Sequence, residues 1–268
     1  MKAFANHFAF EFKTGMRDSN QLLMNYLFPL AFYAMMGLVM TKINPLFTET
    51  MIPAMVIFAA LASTLLGLPG PLVESREAGI YRSYRINGVP AGAILLMPAL
   101  TTAFHALIVG GIIVATGTPL FGGAAPVHWG AFVLITLLSV LSCTGLGSLI
   151  GVVASDSRAV VLFSQLIFLP SMLLGGMMMP LSILPKSVLP FSLLMPASHA
   201  MQAFLGLAYD APTVLDPRIS VAVLAASGIL AFGLAVYLFN WDSRNSARRG
   251  HPALALLALV PYVIAALT

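Results

Sequence analysis

Residues 50–73 read Thr50-Met-Ile-Pro-Ala-Met-Val-Ile-Phe-Ala-Ala-Leu-Ala-Ser-Thr-Leu-Leu-Gly-Leu-Pro-Gly-Pro-Leu-Val73, and residues 74–90 follow as Glu74-Ser-Arg76-Glu77-Ala-Gly79-Ile-Tyr81-Arg82-Ser-Tyr84-Arg85-Ile-Asn87-Gly-Val-Pro90. The first piece holds no Asp, Glu, Lys or Arg and exceeds the ~20 apolar residues that a helix needs to cross a bilayer core. The second is densely charged. The contrast recurs along the chain, with uncharged apolar runs at 22–41, 91–128, 129–155, 159–185, 219–239 and 252–268. Inside hydrocarbon each backbone amide must be satisfied within its own segment, and no alternating ten-residue pattern of a barrel is present. The fold class is therefore an all-α integral membrane protein. Helices are predicted near 22–40, 51–72, 92–115, 129–153, 160–178 and 219–239.

Composition agrees, with 59% hydrophobic and only 8% charged residues, against about 25% charged in a soluble domain. One membrane domain is expected over residues 1–240, followed by a linker and a further apolar segment over 241–268. That segment either spans as a seventh helix or lies along the surface; 17 helical residues rise only ~26 Å, and Pro261 interrupts them. A spanning segment is the expectation.

Alternate connections sort the charges. Lys2, Lys13, Arg17, Arg76, Arg82, Arg85, Arg158, Arg244, Arg248 and Arg249 fall on one side, and Lys42, Lys186 and Arg218 on the other. Basic residues mark the cytoplasmic side, so the N-terminus is placed in the cytoplasm, in an inner or plasma membrane. No Lys- and Arg-rich block exists to suggest a nucleic-acid partner. The first residues lack the apolar core and cleavage site of a leader. Instead Met1, Ala5, Phe8, Phe12 and Met16 make an apolar stripe on a helix, which suits a helix lying on membrane lipid, in the headgroup plane. A poorly ordered tail is the alternative.

Few residues offer chemistry. No GxxxxGK[ST] phosphate cradle occurs, so this chain is not itself a P-loop ATPase. The predicted spans contain no Asp, Glu, Lys or Arg of the kind ion-coupled carriers use. His105 and His199 stand apart from any metal-ligand pairing, and Ser63, Ser139 and Ser164 have no neighbouring base in sequence. Cys143 is alone. No catalytic or metal residue is assigned.

Two segments stand out. The charged connection 74–90 would present Glu74, Arg76, Glu77, Tyr81 and Arg82 on a short helix ending near Asn87-Gly88, as either a docking surface or a solvated loop. The stretch from Leu174 to Phe204 is apolar but broken by Pro180, Pro185, Pro190 and Pro196. Non-helical backbone at membrane depth is tolerated only under protein or beside a water-filled cavity, which suggests re-entrant helices capping a path.

Together these segments resemble the ABC-2 type permease family, the six-span membrane subunits of type V ABC exporters related to the ABCG transporters. In that family a Glu-Arg-Glu-x-Gly stretch forms a coupling helix against the ATPase, and Arg76, Glu77 and Gly79 match it. Ser75 replaces the first Glu, with Glu74 displaced by one. A second signature, Gly then Pro-Leu-x-x-Leu-Pro and later Asn-Pro, is matched by Gly176, Pro180, Leu181, Leu184, Pro185 and Pro196, with Met195 in place of the Asn. The resemblance implies a six-helix transmembrane domain, an N-terminal connecting helix and an external re-entrant gate between spans 5 and 6. It also implies two kinds of partner: a second permease copy or homologue, and a separate ABC ATPase subunit that carries ATP and Mg, this chain needing no cofactor of its own. The expected function is export of a hydrophobic or amphiphilic cargo such as a drug, antibiotic or lipid-like molecule; the alternative is an ATP-independent channel or secondary carrier.

Overall fold

The computed structural model describes residues 2–241 and 250–267, with side chains from Asn6 onward, and all regular structure among them is helical. In chain order the helices are α1 (Lys2–Gly15), α2 (Ser19–Ile43), α3 (Phe47–Glu77), α4 (Ile80–Ile86), α5 (Ala91–Phe121), α6 (Trp129–Val153), α7 (Ser157–Leu174), α8 (Leu189–Ser192), α9 (Pro196–Ala208), α10 (Pro217–Leu238) and α11 (Pro252–Leu267). Six of them, α2, α3, α5, α6, α7 and α10, are long and apolar enough to cross a membrane. The basic cluster Arg244, Arg248 and Arg249 lies outside the described residues.

Local chemistry sets the helix ends. The Asp18 carboxylate accepts the Gln21 N–H at 2.9 Å and opens α2, and Asp156 accepts the Ala159 N–H at 3.0 Å and opens α7. Asp216 accepts the Arg218 N–H ahead of α10, where Pro217 fits the first helical position. Gly79 ends α3 at φ 72° and Gly122 ends α5 at φ 70°, the left-handed conformation that closes helices with least strain in glycine.

Three boundaries differ from expectation. Helix α3 continues through Glu77, so Arg76 belongs to the last turn of a span rather than to a loop. Helix α5 runs on to Phe121, which makes it ~46 Å long and able to project beyond the hydrocarbon core. Helix α7 stops at Leu174 because Gly176 turns left-handed at φ 83°. A Cβ on Gly175 would also strike the Ser171 carbonyl and Ala197.

Helix α3 is the centre of the bundle, its residues from Met51 to Leu65 being almost wholly covered. Phe58 stacks on Phe32 of α2 with ring centroids 4.0 Å apart and meets Phe168 of α7 at 5.7 Å. Helices α6 and α10 approach most closely through small residues: a Cβ on Gly145 would come within 2.6 Å of the Gly228 carbonyl and 3.3 Å of Ala231. Gly147 and Gly151 face Thr64, Leu72 and Pro69 of α3. The small-residue faces thus pack helices within one chain.

Helix α1 lays Phe8 and Phe12 against Phe104 of α5, at 5.9 and 5.8 Å. Phe12 also stacks on His105 at 4.5 Å, and the His105 Nδ1 meets the Tyr26 hydroxyl at 2.7 Å. His105 therefore pins α1, α2 and α5 together. Met16, from the same stripe, is exposed.

Helix α11 winds as a 3-10 helix over Pro252–Leu259 and as an α-helix over Val260–Leu267. It begins beside Leu238, where Gly250 packs, and follows α10 back to a small cluster of Val223, Tyr262, Ala265 and Leu194.

Candidate functional site

The segments singled out in the sequence lie at opposite ends of the bundle. At one end, where Arg17, Arg76, Arg82, Arg85 and Arg158 gather, the chain leaves α3, turns at Gly79 and forms α4. No atom lies within 4 Å of a Cβ built on Gly79. Backbone conformation, not crowding, is what a glycine supplies there.

Arg76 points inward. It is 7% exposed, and Nη1 donates to the Val152 carbonyl at 2.9 Å and to Gly151 at 3.4 Å, while Nη2 donates to the carbonyls of Ala154 and Ser155. Gly151 and Val152 carry last carbonyls of α6, which have no partner within their own helix and sit at the negative end of its dipole, and Ala154 and Ser155 follow directly after it. On the other side of the same joint Asp156 caps α7 and accepts the Ser155 hydroxyl at 2.9 Å. Those hydrogen bonds, with the Ala159 amide first, hold the Asp156 carboxyl below its usual pKa. The α6–α7 joint is thus held by an arginine from α3 and an aspartate of its own.

Tyr81 is also turned inward, its ring 5.3 Å from Phe239 just past α10. Burial raises its phenol pKa, only partly opposed by a hydrogen bond to Ser75, so it stays neutral. Phe239 stacks edge-on with Trp241 at 5.2 Å, and the Arg85 guanidinium lies over that indole at 5.9 Å. Nothing in the spacing of residues 74–90 pointed to Phe239 or Trp241, which lie far along the chain. The outward face of this region carries Glu74, Glu77, Ile80, Arg82 and Ile86 at exposed positions.

At the opposite end, Gly176, Leu181 and α9 meet. A Cβ on Gly176 would lie 3.4 Å from Met201 and 3.5 Å from Leu181, and Leu181 is buried. Pro196 opens α9 from a buried position, Leu184 is half-buried, and Pro180 and Pro185 face outward. Helix α9 rises only ~20 Å, too short to cross, yet it is covered along most of its length. Its first turn is tied back to α7: Ser192 Oγ donates to the Leu174 carbonyl at 2.6 Å and Ser198 Oγ to the Ser192 carbonyl at 2.6 Å. The His199 Nε2 donates to the Leu193 carbonyl at 2.8 Å, which makes it a structural group. The last carbonyl of α9, on Ala208, accepts the Val127 and His128 amides ahead of α6, so the segment that leaves α7 comes back to the end of the bundle where α6 begins. This is a re-entrant helix.

Sequence reasoning missed Tyr262. It is fully buried, and its hydroxyl meets Ser142 of α6 and Ser227 of α10, each at 2.8 Å, with those two serines also 2.8 Å apart. Its ring centroid lies 5.6 Å from that of His199. One side chain of α11 therefore touches α6, α10 and the re-entrant helix together.

Nowhere in this arrangement does a nucleophile face a base, and among the described residues no group of three His, Cys, Asp or Glu could hold a metal. A surface at one end is joined to the ends of α6 and α10, which run to the re-entrant helix at the other. No curated protein and no solved structure matches the chain. The family model described as ABC-2 type transporter matches residues 4–209, most of the chain and including both ends of this arrangement. The chain is a multi-pass membrane protein that belongs to the ABC-2 type transporter family, as a permease of an ABC transporter.

Proposed function

We propose that this permease belongs to an ATP-driven exporter whose ATPase is a separate polypeptide docking on Glu74, Glu77 and Arg82, and that it moves a hydrophobic or amphiphilic cargo out of the cytoplasm. The observation that supports this most is the division of labour in residues 74–85. Charged side chains face outward while Arg76 and Tyr81 reach inward to the ends of α6 and α10. A push on α4 would be delivered to both helices and, through the joint at 154–156, to α7. ATP and Mg belong to the partner subunit on this reading.

The excess of basic residues supports a docking end and α1 in the cytoplasm, with the re-entrant helix on the outer side of an inner or plasma membrane. Helix α11 fits a seventh crossing: 3-10 winding stretches its first half, so its sixteen residues rise ~28 Å. A second permease copy or homologue would complete the pathway. Leu162, Leu166, Leu169 and Leu173, all exposed on α7, form a row at heptad spacing suited to knobs-into-holes packing against it.

The assembly test is purification of the tagged chain from its host in mild detergent, with mass spectrometry of what copurifies. An ATPase in about equal amount that is lost from the Glu77→Lys variant is the expected result. Absence of any ATPase, even after crosslinking at residues 74–85, would overturn this reading in favour of an ATP-independent channel or carrier.

A further inference from the structure

A cavity of about 400 Å³ lies behind α4, walled by α1, the end of α3 and the first turns of α5. That volume falls in the range of small-molecule sites. Three carboxylates line it, Glu11, Asp18 and Glu74, and no lysine or arginine does among the described residues. This is the end of the molecule where basic residues otherwise predominate, so the acids have been collected on the cavity and the bases kept off it. Two of the acids have a neighbour: the His7 Nε2 stands 3.5 Å from Glu11, and Asp18 accepts the Gln21 amide.

One part of the wall is apolar, formed by Leu68, Leu72, Ile94 and Pro98. Thr102 also lines it, on the stretch of α5 where Phe12 of α1 packs on Phe104 and His105. Thr64, Thr101, Thr116 and Thr136 each return their hydroxyl to the carbonyl four residues earlier. Thr102 does not. It is 6% exposed, and its hydroxyl, without a hydrogen-bond partner among the described residues, is left accessible at the cavity wall. A polar group is thus left open on the wall of a cavity that carries both an apolar surface and three carboxylates. Phe10, Tyr81 and Tyr84 stand among the lining residues and add the aromatic surface that organic cations favour.

We propose that this cavity binds an amphiphilic organic cation: the positive group lies among Glu11, Asp18 and Glu74, the apolar body packs on Leu68, Leu72, Ile94 and Pro98, and an acceptor or donor on it meets Thr102. The site needs neither ATP nor the ATPase, and its occupant need not be the exported cargo.

The test uses the full chain in phosphatidylglycerol nanodiscs, without nucleotide, and fluorescence anisotropy of rhodamine 6G against a neutral boron-dipyrromethene dye of similar size. Saturable binding of the cation, with the neutral dye clearly weaker, is expected. The double variant E11Q/E74Q changes no buried group and should weaken the cation about tenfold or more, while leaving the neutral dye unchanged. Thr102→Val, nearly isosteric, should weaken binding severalfold. Displacement of the bound dye by added phosphatidylethanolamine would identify a lipid amine as the natural source of the cation, and resistance to it a free cation. Unchanged affinity in E11Q/E74Q, equal binding of both dyes, or binding lost only when a copurified ATPase fills the cavity with its own basic side chain would each overturn the proposal.

Discussion

The Arg76 Nη1 donates to the main-chain carbonyl of Val152 at 2.9 Å, so a charged residue of the most polar connection serves as the C-terminal cap of a different membrane span. Glu77, its neighbour in sequence, is exposed. The two residues of one motif therefore have separate physical duties, and substitutions should separate them.

Arg76→Ala is expected to leave several terminal carbonyls of α6 without a charged donor, at a cost of about 2–3 kcal/mol. Arg76→Lys should recover part of it, because one ammonium replaces a fork of donors. Thermal unfolding in detergent checks this order. Glu77→Lys should leave the unfolding temperature unchanged while abolishing capture of an ATPase; loss of stability in Glu77→Lys instead would place that side chain inside the fold.

Gly79 sits at φ 72° with open space around it. Gly79→Asn should be tolerated, whereas Gly79→Val must force a β-branched residue into the left-handed region at about 1–2 kcal/mol. The readout is ATPase stimulation in the reconstituted complex, with Gly79→Val losing it and Gly79→Asn keeping most of it.

Tyr262→Phe removes one hydroxyl but leaves Ser142 and Ser227 bonded to each other, and should cost about 1 kcal/mol. Tyr262→Ala opens a cavity beside His199 and should cost about 3–5 kcal/mol. Unfolding of the two variants measures the difference; equal, small losses would show that α11 is not docked as described.

Helix α11 as a seventh crossing predicts that a cysteine at Thr268 reacts with an impermeant maleimide added outside intact cells, whereas one at Lys2 reacts only after lysis. Labelling of both only after lysis would place α11 along the inner surface.

Asp156 titrates below its usual range because it caps α7. A depressed folded-state pKa means the cap's contribution is complete above the unfolded value of ~3.9 and is lost as pH falls through the lower folded value. Unfolding temperatures recorded from pH 6 to pH 3 should fall more steeply in the wild type than in Asp156→Asn, which keeps an uncharged cap throughout.

Reading the spans needed only the chain itself. A membrane helix satisfies its amides locally, and the bilayer sets its length, so α6 was predicted at 129–153 and is found there. The short helix ending before Pro90 was legible for a similar reason, since Asn87-Gly88 and Gly79 are local stop signals. So was α1, through the spacing of Phe8 and Phe12. The overruns of α3 and α5 were not, because helices can continue past the hydrocarbon into charged or proline-containing sequence wherever neighbours support them.

Residue order and composition are enough to show that this is a helical membrane protein, which connections carry the basic excess, and where a charged surface and a proline-broken segment lie. It took the folded chain to reveal that Arg76 bonds the end of α6, that Tyr81 is anchored on Phe239, that Tyr262 joins α6, α10 and α9, and that Thr102 opens on a cavity shared with three carboxylates. The reason is physical: periodicity and charge act over neighbouring residues, whereas the partner of a buried polar group depends on which helix faces are pressed together, and that choice is made by packing among segments far apart in the chain.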